Sequence, residues 1–91
     1  MFFKKEVKIS KNFGEEYIEK VIAFLSTEFT ISFKRTNVIE MDLILYDYII
    51  DKNEVTFLSE SRIGTSILGK KKIIEKIKKK MKEENTGLFD V

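Results

Sequence analysis

At 91 residues, with neither Cys nor His, the chain has room for one small domain and has no thiolate or imidazole to hold zinc, form a disulfide or act as the usual general base. Hydrophobic residues make up 43% and aromatic residues 12%, enough for one core, although a chain this short buries only about 60–70% of its unfolded surface. The net charge of +2 is unevenly spread: positions 70–82 hold eight lysines and one glutamate, while positions 1–69 hold eleven acids against nine bases.

In chain order, residues 3–9 alternate apolar Phe3, Val7 and Ile9 with charged neighbours and predict a half-buried strand. Ser10 or Asn12 then caps a helix of about fifteen residues, in which Phe13, Tyr17, Ile18, Val21, Ile22 and Leu25 recur at helical spacing. Glu15, Glu16 and Glu19 fall early, where acidic charge suits the helix dipole. Residues 27–35 alternate again, Thr36-Asn37 predicts a turn, and residues 38–50 predict a strand apolar on both sides. One side of that strand carries Ile39, Met41, Leu43 and Leu45; the other carries Val38, Ile44, Tyr46 and Tyr48 among acids.

Asp51-Lys52-Asn53-Glu54 reads as a four-residue hairpin loop, with Asn53 in the left-handed conformation, leading to a strand over 55–59. Residues 60–69, rich in Ser, Thr and Gly, read as a loop. A final helix starts near Ser66, burying Ile67, Ile73, Ile74, Ile77 and Met81 beneath lysines. The expected fold is therefore a single α+β domain over 1–83 in βαβββα order, with a four-stranded mixed sheet and both helices packed on one face. A right-handed crossover joins the first two strands, and residues 84–91 form a C-terminal tail.

Lysine outnumbers arginine fifteen to two, Ile occurs thirteen times and Gln is absent, a bias that suits a thermophile, an AT-rich genome or a virus of either. The N-terminus lacks the apolar run of a leader, and no stretch reaches the eighteen or so apolar residues of a membrane span, so the expected location is cytoplasmic.

The most charged segment, with Arg62, Lys70, Lys71, Lys72, Lys76, Lys78, Lys79, Lys80 and Lys82, is the candidate nucleic-acid or anion-binding set, because lysines on one helix can neutralise a phosphate backbone. Residues 62–77 resemble the loop-to-helix stretch of KH RNA-binding domains, where an Ile-Gly-x-x-Gly turn clamps the RNA backbone. Here Gly69-Lys70-Lys71-Lys72 has lysine in place of the second glycine, and no strand follows the helix. The expected element order also resembles that of ribosome hibernation factors, which bind ribosomal RNA, in order alone. The tail Asn85-Thr86-Gly87-Leu88-Phe89 resembles the Gln-x-x-Leu-Phe peptides that dock on bacterial sliding clamps, with Asn85 replacing glutamine.

Ile44, Tyr46, Tyr48, Leu88 and Phe89 form the candidate protein interface, since a strand apolar on both sides in a one-layer sheet calls for a partner. The expected function is a small non-enzymatic binding or assembly protein acting as a homodimer or with another protein. The alternative is nucleic-acid backbone binding through the lysine helix. No catalytic residue, cofactor, metal or small-molecule substrate is expected.

Overall fold

The computed structural model describes residues 4–84 and 86–91. Phe3 and Asn85, which the sequence reading placed in the first strand and the tail motif, lie outside the described residues. The chain runs β1 (Lys4–Ser10), α1 (Glu15–Leu25), β2 (Ile31–Glu40), β3 (Leu43–Ile50), β4 (Asn53–Glu60), β5 (Gly64–Lys70) and α2 (Lys71–Glu83). The protein is a small α+β domain built on one five-stranded antiparallel sheet of order β1-β5-β4-β3-β2.

Helix α1 has eleven residues and starts after Gly14, with neither Ser10 nor Asn12 as its cap, and the strand layout differs from the sequence reading in three ways. The segment read as the 60–69 loop is largely strand β5, and α2 begins at Lys71 rather than Ser66. The sheet has five antiparallel strands instead of four mixed ones, because β1 pairs with β5 and lies at the opposite edge from β2. Finally, Thr36 and Asn37 lie within β2, and the chain reverses at Met41-Asp42.

The registers lay out the two sheet faces. On one, Val7, Ile67, Phe57, Tyr46 and Thr36 form a row, flanked by the row Gly69, Val55, Tyr48 and Phe33. The helices cover this face. Tyr17, Ile18, Val21 and Leu25 of α1 and Ile73, Ile74, Ile77 and Met81 of α2 join Ile9, Tyr46, Tyr48, Ile50, Val55, Phe57 and Ile67 in a single core. Full burial of each such apolar side chain contributes about 1.5–3 kcal/mol. The other face carries Leu45, Leu58 and Ser66 in a row beside Asp47, Thr56 and Leu68, with no helix above them.

Two close approaches explain why β5 needs small residues. Gly64 (φ 128) lies so near the end of β1 that a Cβ would collide with the Ser10 carbonyl oxygen. Gly69 admits the Ile74 side chain of α2, which a Cβ would meet at 3.3 Å. The β3–β4 turn consists of Asp51 (φ 47) and Lys52 (φ 70), both left-handed as a two-residue hairpin with a primed turn requires, while Asn53 pairs with Ile50.

Candidate interaction surfaces

The helical layer does not reach the β2 edge. Every residue of β2 after Ile31 is exposed, and the large apolar side chains of the β2–β3 hairpin stand in solvent: Phe33 is 59% exposed, Val38 68%, Ile39 56% and Met41 94%. Phe33 and Val38 lie on the helix side of the sheet, opposite Tyr48 and Ile44 respectively, and α1 leaves them uncovered. The only ring contact Phe33 makes among the described residues is edge-to-face with Tyr48, centroids 5.5 Å apart. An edge strand of ten residues with this exposure presents unpaired backbone groups beside apolar side chains, a template for another strand.

β2 departs from regular pairing twice, between Phe33 and Arg35 and between Val38 and Glu40. Such bulges commonly blunt an edge. Here the two extra residues, Lys34 and Ile39, flank the regular stretch 35–38.

Of the five residues expected at a protein interface, Tyr46 and Tyr48 are buried in the core, their phenols raised above the ordinary range by desolvation and then by Glu15 and Glu19 of α1. That burial removes them from the expected interface: they belong to the core beneath the helices. Ile44 is half-buried at the margin of the helical layer. Leu88 and Phe89 fold back onto the core rather than projecting as a docking peptide. The Leu88 carbonyl accepts a hydrogen bond from the Tyr17 hydroxyl at 2.7 Å, and Asp90 forms a bridge with Ser10, its N–H donating to Ile9 and its carbonyl accepting from Lys11. The exposed residues of the hairpin were missed because the strand was divided at the wrong turn.

The open sheet face is not uniformly apolar. Asp47, only 4% exposed, accepts from Arg35 Nε at 2.9 Å and from the Thr56 hydroxyl at 2.6 Å, so its buried charge is paired and hydrogen-bonded. Glu54 ties Lys34 (3.0 Å) and Arg35 (3.7 Å) to the same network.

The lysines divide into distinct groups. Lys80 is engaged: Glu84 at 3.1 Å and Glu28 at 3.4 Å hold its ammonium above the usual lysine range, and it lies 5.5 Å from the Phe24 ring centre. Lys71, Lys78 and Lys82 fall on one flank of α2 with Glu75, at i, i+7, i+11 and i+4. Glu75 meets Lys5 of β1 at 3.4 Å, so this flank faces the β1 edge, where Lys5, Lys78, Lys79 and Lys82 line a shallow concavity with Glu75 and Glu83. Lys76 lies on the other flank, beside Glu28 and Asp51. Lys72 is exposed in the first turn of α2, and Lys70 stands opposite Lys4 across the β1–β5 ladder. Arg62 lies apart, in the β4–β5 turn at the far end of β5 from the start of α2 (φ 69). Because 64–70 is a strand, the loop clamp that the KH resemblance implies is not formed.

Comparison with protein-family models, with curated proteins and with solved structures finds no match to this chain. No helix among the described residues is long and apolar enough to cross a membrane, and no group of three potential metal ligands occurs among them.

Proposed function

We propose that the protein acts by association, as a homodimer in which β2 of one protomer pairs antiparallel with β2 of another about a two-fold axis at Asn37. The observation that carries this reading is the bare hairpin edge, where Phe33, Val38, Ile39 and Met41 remain exposed together, whereas elsewhere among the described residues the exposed large apolar side chains, Phe13, Ile63 and Val91, are single. A second copy is favoured over an unrelated strand because the edge is complementary to itself. Pairing about Asn37 sets Lys34 opposite Glu40 and Thr36 opposite Val38. The result is a ten-stranded sheet with Phe33 and Val38 of both copies on the helix side.

Sedimentation velocity tests the reading. The wild type sediments at twice the 10.7 kDa chain mass. Glu40→Lys, which sets lysine against Lys34 of the other copy, weakens the dimer by about 0.5–1 kcal/mol per facing pair, and Lys34→Glu added to it restores the opposite-charge pairing. A wild type that stays monomeric at high concentration, or a dimer indifferent to both substitutions, overturns the proposal.

A further inference from the structure

The two helices obey different rules. α1 begins with Glu15 and Glu16 at the positive end of its dipole and carries an opposite-charge Glu16–Lys20 pair at i, i+4. α2 begins with Lys71 and Lys72, has no acidic residue in its first turn and no side-chain cap, and repeats lysine at i, i+4 at 72–76, 76–80 and 78–82. Lys at the start of a helix and like charges at i, i+4 each cost a few tenths of a kcal/mol. Against these, α2 forms one i, i+4 ion pair, Lys80–Glu84, and its Glu75 turns to Lys5 of β1, so the helix keeps a net excess of lysine. Local stability is given up here for a concentration of positive charge.

That charge spans two elements. Lys71, Lys78, Lys79 and Lys82 of α2, none of which has an ion-pair partner among the described residues, stand beside β1, which adds Lys5 in the concavity, while Lys4 and Lys8 alternate with Glu6 on the helix-free side of the same edge. Glu75 and Glu83 lie within this surface, and Glu75 is already occupied by Lys5. The apolar residues of α2 are all buried, and the large exposed ones elsewhere among the described residues belong to other parts of the chain, so the described part of this face has no apolar side chain to insert into a bilayer. Among the described residues it also carries no arginine fork and no exposed aromatic ring on which a base could stack. We infer that the α2–β1 edge binds double-helical nucleic acid by its phosphate backbone, without sequence preference. This surface lies at the opposite edge of the sheet from β2, so the inference does not depend on the dimer.

Fluorescence anisotropy with a labelled duplex of about 20 base pairs tests it. About five phosphate contacts predict a loss of affinity of a few hundred-fold between about 50 and 200 mM salt. Lys71→Glu/Lys78→Glu/Lys82→Glu abolishes binding, whereas Lys20→Glu/Lys52→Glu/Arg62→Glu, with the same change in net charge, retains most of it. The same three α2 positions changed to Gln, which preserves helix propensity, weaken binding about a hundred-fold if the Glu variant fails to fold. Absence of duplex binding at low salt overturns the inference. So does equal loss in both triple variants, or binding to phosphatidylserine vesicles or to single strands in preference to the duplex.

Discussion

β1 and β2 run along opposite edges of the same sheet, and only one of them is closed off. α2 covers the helix side of β1, Asp90 bridges to its last residue, and its outward side chains are mainly charged. Among the described residues β2 has no helix over it, no strand beyond it and four large apolar side chains exposed along its hairpin. The contrast teaches that the chain can protect a sheet edge with lysines, a roof and a strap, and does not do so at β2. The bare edge is therefore read as the site of association, and the charged one as a surface for a polyanion.

The comparison can be broken most severely at the β1 end. Gly64→Ala drives a methyl group into the Ser10 carbonyl at a left-handed backbone position, and is expected to destabilise the fold by about 3 kcal/mol or more in denaturant titration. A loss below about 1 kcal/mol would mean that the β1–β5 approach is loose.

A milder cut is made at the strap. Tyr17→Phe removes the bond to the Leu88 carbonyl and is expected to cost about 1 kcal/mol. Burial pushes the Tyr17 phenol up to about 12 from its ordinary 10, against a lowering bond from Ser10 and with a smaller rise from Asp90. Because the folded value lies above the unfolded one, folding favours the neutral phenol. This contribution is complete below about pH 10 and is lost as pH rises through about 12. Tyr17→Phe removes that part of the alkaline decline; an unchanged pH profile would assign the decline to other groups.

The smallest effect on the monomer is expected at the opposite edge. Phe33→Ala gives up an edge-to-face contact and little burial, about 0.5–1 kcal/mol. The same substitution weakens self-association measurably, which separates a residue held for a partner from one held for the fold. A loss of several kcal/mol in the monomer would place Phe33 in the core instead.

Much of this arrangement is legible in the residues. The spacing of Tyr17, Ile18, Val21 and Leu25 marks α1, and that of Ile73, Ile74, Ile77 and Met81 marks the buried face of α2. The side alternation of Ile44, Tyr46 and Tyr48 against Leu43 and Leu45 also holds, because period two follows from the pleat alone. β5 was not legible. Gly64, Thr65, Ser66 and Gly69 are loop-like in composition, yet β5 lies between two strands with α2 packed across it, and the close approaches of Ser10 and Ile74 demand small residues there. Missing β5 also hid the place of β1, since a chain lacking a fifth strand offers β1 no neighbour but β2. Met41-Asp42 contains no glycine, proline or asparagine to announce a turn, so the hairpin that exposes Val38, Ile39 and Met41 was assigned to one continuous strand. The lysine segment was visible as charge, but its division into engaged Lys80, the β1-facing flank and distant Arg62 depends on tertiary neighbours.

The most direct test of edge pairing is residue-resolved amide hydrogen exchange of β2, measured by NMR at dilute and at concentrated protein. Pairing about Asn37 predicts that the outward amides within 35–38 become protected as concentration rises, while those of β1 do not change. Exchange at 35–38 that stays fast and independent of concentration would contradict the account.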